Sequence, residues 1–312
     1  MEADQLIQAI KAIREDIDSL HLYFIERTFD ENKEVGYICH KPEIALTITQ
    51  EISDLTLGCI ERVLAGMQFI DFDPTCYEDS TIETLNVSQV ANLNKMQECV
   101  KNIPDSNPFD FNEVESDKLW AYCMVIKNKS GNEVMLFKKF SAAKVMKNKI
   151  PLFSNGRTLN KLENRIFTID ERMDAFVYLD KLYVLNRFYF ESIFNYNDAY
   201  QNVLKAGIDK VEGIGIINGF EEFKSACLES NKIAKQFTKI MSSGGLERYQ
   251  RNLPNIPKVI EEYQINVKFV DDKLVYEDKT SLPDIIKLFS NLFAKTALDD
   301  IPSEAIKLKP RK

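Results

Sequence analysis

Apolar positions along the chain switch repeatedly between a helical period and a strand period. Within residues 3–18, Leu6, Ile10, Ile13 and Ile17 fall on one helical face. Residues 20–28 and 35–39 read as strands separated by a turn at Asp30–Asn32, and 43–66 as a long helix that begins after Pro42 and reaches Gly66. Residues 67–73 alternate like a strand, and 88–102 return to the helical pattern. Further on, 119–127 and 133–140 flank NKSGN, a glycine-containing turn, and so predict a hairpin. Strands follow at 164–169, 174–179 and 182–186. Helical stretches then cover 188–205, 219–241 and 245–263, the last interrupted near Pro254 and Pro257. A hairpin from Val267 and a helix over 283–294 complete the pattern. The predicted class is α+β, with mixed helices and antiparallel hairpins.

The composition supports a real core. Hydrophobic residues make up 45% of 312, including 20 Phe and 12 Tyr. The longest clean apolar run, 121–126, is far short of the roughly 20 residues that cross a bilayer. The first residues, MEADQLIQAI, lack the basic and apolar regions of a signal peptide. A cytoplasmic protein is therefore expected. The six cysteines contain no CxxC pair and are expected to be reduced thiols; Cys39–His40 are adjacent, which is poor geometry for two ligands of one metal. Neither a metal nor another cofactor is expected.

Charge changes the picture, because it is split. Residues 1–117 hold 8 basic and 24 acidic side chains, a net of −16, and residues 118–312 hold 32 and 24, a net of +8. Between Lys118 and Lys161 there are ten basic residues and one acid, Glu133. Solvated faces ordinarily mix signs, so this block points to a polyanionic partner. The sign reverses at residues 104–117, a Pro-, Asn- and acid-rich stretch. The organisation expected from this is an acidic α+β domain over 1–103, a linker over 104–117, a basic DNA-binding α+β domain over 118–300, and a disordered basic tail over 301–312. The candidate phosphate contacts are Lys138, Lys139, Lys144, Lys147, Lys149, Arg157 and Lys161. A second set, Lys232, Lys235 and Lys239, is spaced by three and seven residues and so shares one helical face.

Motifs for catalysis mostly fail. Gly213, Gly215 and Gly219 do not keep the dinucleotide-binding spacing and read as a turn before a helix. Ser141 and Lys144 form an SxxK without its companion motifs, and Ser141 reads better as a helix N-cap. Asp271, Asp272, Glu277 and Lys279 have the residue types of a metal nuclease, in which carboxylates hold the ion and a lysine polarises phosphate. They also flank a predicted hairpin turn, where acids commonly solvate loops.

Residues 164–200 read NRIFTIDERMDAFVYLDKLYVLNRFYFESIFNYNDAY. A strand ends at Ile169–Asp170, a second carries Asp174 and Phe176–Val177, a third runs from Leu182 to Asn186, and Phe190–Glu191 open a helix. Together with the upstream hairpin containing Trp120 and Phe137–Lys138, this stretch resembles the KwaB family, a bacterial domain-of-unknown-function family of Kiwa-type anti-phage defence. The resemblance is good over about 118–290 and looser elsewhere. It carries no catalytic residues. It implies a cytoplasmic defence effector that binds DNA and acts with a KwaA-like multi-span membrane protein. The expectation adopted from residues and resemblance together is a non-enzymatic effector that binds phage or host DNA, is recruited by that partner to the inner face of the membrane, and assembles as a homodimer or larger. A metal-dependent nuclease and a pure protein–protein adaptor are the two alternatives.

Overall fold

Helix α1 (Ala3–Glu15) forms where the periodicity predicts it, with Leu6, Ile10 and Ile13 fully buried. It packs on α2 (Leu46–Leu64), whose Ile52, Leu57, Ile60 and Leu64 supply the opposing surface. Arg14 locks the pair: its Nε donates to Glu61 Oε1 at 2.7 Å and its Nη1 to Asp54 Oδ1 at 3.2 Å. The computed structural model describes residues 2–31, 34–76, 78–103, 118–141, 152–155, 158–161, 167–296, 299 and 301–305. The expected linker lies outside them.

The chain divides into two units, Met1–Phe72 with Ser80–Asn195, and Asp73–Asp79 with Tyr196–Lys312. The first contains β1 (Ile17–Phe29), β2 (Val35–His40), β3 (Gln68–Asp71), β4 (Thr81–Asn86), α3 (Leu93–Lys101), β5 (Leu119–Asn128) and β6 (Glu133–Lys139). After these come β7 (Leu152–Asn155), β8 (Thr158–Lys161), β9 (Ala175–Tyr178), β10 (Lys181–Val184) and α4 (Arg187–Ile193). Eight strands form one sheet in the order β2-β1-β5-β6-β9-β10-β4-β3, antiparallel except for the β3–β4 edge. Among the described residues, strands β7 and β8 pair with each other and with no other strand.

This sheet does not follow the charge boundary. Strand β1, from the acidic part, pairs along its length with β5, from the basic part, and β4 pairs with β10. Charge sign is a property of exposed side chains, whereas pairing is decided by the buried ones. Leu20, Leu22 and Phe24 of β1 join Tyr122, Met124 and Ile126 of β5 in a single core. The division expected at 104–117 therefore falls inside one sheet. Strand β5 is buried at every position but Trp120 and Lys127, which means that both faces of the sheet are covered there. Phe167 closes the aromatic centre, 4.8 Å from the Phe24 ring and 5.4 Å from Tyr122 between centroids.

Strand β4 was not expected, and the expected strand at 164–169 is not formed by its described part, 167–169. The thiols also need correction. Helix α3 packs on β2, bringing together positions 60 residues apart, and Cys39 and Cys99 form a disulfide with Cα atoms 5.8 Å apart. Cys59, Cys123 and Cys227 remain buried free thiols, and Cys76 is half-buried.

The second unit contains α5 (Tyr196–Ile214), β11 (Ile217–Asn218), α6 (Phe220–Leu228), α7 (Asn231–Ser242), α8 (Gly245–Arg251), α9 (Ile256–Glu262), β12 (Lys268–Val270), β13 (Lys273–Val275), α10 (Leu282–Ser290), β14 (Phe293–Lys295) and β15 (Pro302–Glu304). The single helix expected over 219–241 is two. Ser230 starts α7, its Oγ accepting from the Ile233 backbone N–H at 3.4 Å. Helices α5 and α7 approach closely at Gly207, where an added Cβ would fall 2.6 Å from the Phe237 ring. The expected disordered tail is ordered at its start, since β15 pairs antiparallel with β14; residues 306–312 lie outside the described part.

Candidate nucleic-acid interface

The ten candidate contacts fall into three groups. Lys138 and Lys139 end β6, and the strand's alternation sends them to opposite faces. Neither is free to meet a phosphate. Lys138 is only 13% exposed; its Nζ lies 3.0 Å from Asp174 Oδ1 and 3.9 Å from Asp170 Oδ2. Lys139 Nζ donates to the Trp120 carbonyl at 2.8 Å and sits 3.2 Å from the centre of the Trp120 ring. The Arg27 guanidinium carbon lies 3.3 Å from that same ring centre. Burial, followed by the Arg27 charge, lowers the Lys139 pKa to about 8, against the opposing pull of Asp174. Asp174, 1% exposed, also accepts from the Lys139 backbone N–H at 2.7 Å, and Trp120 Nε1 donates to the Ile193 carbonyl at 3.0 Å. Read as part of a charge run, these two lysines pass for surface. The structure makes them internal braces between β6, β5 and the loop ahead of β9, because their partners lie far away in sequence.

Lys144, Lys147, Lys149 and Arg157 lie outside the described residues, as does the short helix expected after Ser141. Lys161 closes β8, and its side chain is likewise outside.

Lys232, Lys235 and Lys239 do come together. Buried Ile233, Ala234, Phe237 and Ile240 hold one face of α7 inward, which fixes the three lysines on the flank. They line a cavity of about 400 Å³ with Gln236, Lys287 and Ser290, Pro74 and Thr75, and Leu292 and Ala305. Lys239 is anchored: its Nζ is 3.2 Å from Asp73 Oδ2 and 3.3 Å from Thr75 Oγ1. Burial works to raise the Asp73 pKa, but two hydrogen bonds from Thr75 and the charge of Lys239 outweigh it and bring it down to about 2. Lys287 pairs with Asp284 at 3.3 Å, and Lys235 lies 5.4 Å from the Tyr200 ring centre. Lys287 was not singled out from the sequence. It belongs to a helix that the α7 spacing says nothing about.

The nuclease residues are not assembled. Asp271 and Asp272 occupy the two-residue turn between β12 and β13 with φ of 53° and 60°, as a tight hairpin requires. Glu277 is ion-paired with Lys268, and Lys279 Nζ with Glu229 at 2.7 Å. Among the described residues no group of three His, Cys, Asp or Glu side chains could hold a metal. The glycines at 213–219 behave as turn residues: Gly215 and Gly219 have φ of 72° and 78° on either side of β11.

Compared with known families, residues 116–299 match the family described as Kiwa protein KwaB-like. The chain belongs to the KwaB-like family. Membership gives it a role in Kiwa anti-phage defence. The KwaB-like segment takes in β5, β6, β9 and β10 of the large sheet and runs on through β14, whereas β1–β4 complete the sheet from outside the match. No curated protein and no solved structure matches the chain. Among the described residues of this KwaB-like protein, no helix is long and apolar enough to cross a membrane.

Proposed function

We propose that this KwaB-like protein is a DNA-binding effector that acts by binding rather than by catalysis, with little sequence preference and together with a KwaA-like multi-span membrane protein that recruits it to the inner membrane face. Homodimers or larger assemblies are part of the same reading. One coincidence carries it: the family match, 116–299, opens at the point where the chain turns basic, and the 44 residues from Lys118 to Lys161 include ten cations and one acid. With Lys138 and Lys139 engaged internally, the contacts proposed are Lys144, Lys147, Lys149, Arg157 and Lys161. Phosphate neutralisation by such a group is indifferent to base sequence and releases counterions.

The acidic N-terminal part supports a second element of the proposal. Cytoplasmic loops of multi-span membrane proteins collect basic residues, so an excess of 16 negative charges over residues 1–117 is complementary to them. Exposed acids such as Glu43 and Glu51 are the proposed docking contacts.

The test is retention of duplex DNA across a salt series. If about six phosphates are neutralised, affinity falls roughly a thousandfold between 50 and 200 mM salt. A flat salt response overturns the electrostatic reading.

A further inference from the structure

The cavity between α7 and α10 has properties that a duplex-binding surface does not need. Among the described residues its lining contains four lysines, Lys232, Lys235, Lys239 and Lys287, and no carboxylate. It is concave, and its volume of about 400 Å³ is in the range of small-molecule sites. Duplex DNA presents its phosphates on a convex surface and is served by an open stripe of cations. The remaining walls suit the rest of a small ligand. Pro74, Leu292, Ala305 and the lysine stems are apolar, while Gln236, Ser290 and Thr75 bring polar groups.

The site is also built in advance. Lys239 is fixed by Asp73 and Thr75 from one wall, and Asp73 stays ionised well into acid because of those same contacts. Lys287 is held by Asp284 one turn earlier on α10. Lys232, exposed at the first turn of α7, stands where the partial positive charge of a 12-residue helix adds to its own. Two of the four ammonium groups are thus oriented by carboxylates that do not themselves line the cavity. Ligand phosphates would meet prearranged donors, which lowers the ordering cost of binding.

We propose that this cavity binds a free nucleotide bearing more than one phosphoryl group, with the phosphates among Lys232, Lys235, Lys239 and Lys287 and the base against Pro74, Leu292 and Ala305. The lysines of α7, candidates for DNA contact from their spacing, are thereby assigned to a small anion. This goes beyond the DNA-binding reading and does not depend on it.

The experiment is calorimetric titration of the full chain with ATP, pyrophosphate, adenosine and a short duplex at low salt. ATP binds saturably with one site per chain, pyrophosphate binds more weakly, and adenosine is weaker than ATP by about tenfold or more. The double variant Lys232→Gln/Lys235→Gln, chosen because it leaves the Lys239–Asp73 pair intact, weakens ATP by about tenfold or more while its melting temperature is unchanged. A second variant, Lys144→Gln/Lys147→Gln/Lys149→Gln, retains full ATP affinity, and its duplex affinity reports on the DNA reading separately. The proposal is overturned if ATP shows no saturable binding, if adenosine binds as well as ATP, or if duplex displaces ATP and both are lost together in the α7 double variant.

Discussion

Asp174 carries Lys138 on one carboxylate oxygen and the Lys139 backbone N–H on the other, at 3.0 and 2.7 Å, in a site where the aspartate itself is almost wholly shielded from water. The carboxylate thus secures the end of β6 to the strand that follows it in the sheet. Replacing Asp174 with Ala leaves an ammonium group with little solvent and its nearest partner gone. A loss of about 3–5 kcal/mol in urea unfolding is expected. A loss below about 1 kcal/mol would show that Lys138 relaxes to solvent at little cost.

Asp73 sets an acid limit on the second unit. Its folded pKa of about 2 lies below its value of 3.8 in an unstructured chain, so its contribution is present above pH 4 and disappears as pH falls from about 4 to about 2. That contribution is on the order of 2 kcal/mol. In Asp73→Asn the stability deficit relative to the parent should shrink over this window. Unfolding midpoints measured at several pH values check it, and a deficit independent of pH would mean that Asp73 is not the group titrating.

The disulfide between Cys39 and Cys99 closes a loop with a sequence separation of 60. Reduction, or Cys99→Ser, is expected to remove about 2–4 kcal/mol. Thermal unfolding with and without reductant measures this, and Cys99→Ser should abolish the difference between the two conditions.

Reversing Lys144, Lys147 and Lys149 to Glu is expected to abolish duplex retention while leaving the melting temperature unchanged. Retained affinity would move the DNA contacts elsewhere.

Supercoiled plasmid should stay intact with Mg²⁺ or Mn²⁺. Nicking that disappears in Glu277→Ala or Asp271→Asn would overturn the proposal that the protein acts by binding alone. Asn is chosen at 271 because it tolerates the positive φ of that turn.

What the sequence made legible, and what it hid, follows from where each signal lives. The face of α7 was readable because helical spacing is local: Lys232, Lys235 and Lys239 do line one cavity. Strand β4 was not readable, because its Glu83 is 2% exposed and neutralised by Arg187 at 3.2 Å, which puts a charge where an inward apolar residue is expected. The break between α6 and α7 had a local signal in Ser230, masked by apolar residues that continue in register on either side. The roles of Lys138 and Lys139 depend on Asp174 and Trp120, and Lys287 joins its cavity from another helix. No short window of sequence around Lys138 or Lys139 contains its partner, and none around Lys287 contains the α7 lysines it meets.

Pairing β1 with β5 has a consequence during synthesis. Strand β1 can form its hairpin with β2 early, but its other edge is filled only when residues up to Asn128 have left the ribosome. At roughly 5–20 residues per second, that edge, carrying Leu20, Leu22 and Phe24, waits on the order of 10 s without its neighbour. Nascent chains stalled in this interval present an apolar strand with unsatisfied backbone groups, the form most prone to stick to copies of itself. Yield of this protein should therefore depend on how quickly the ribosome traverses the acidic stretch before β5, and on whether a chaperone shields β1 meanwhile.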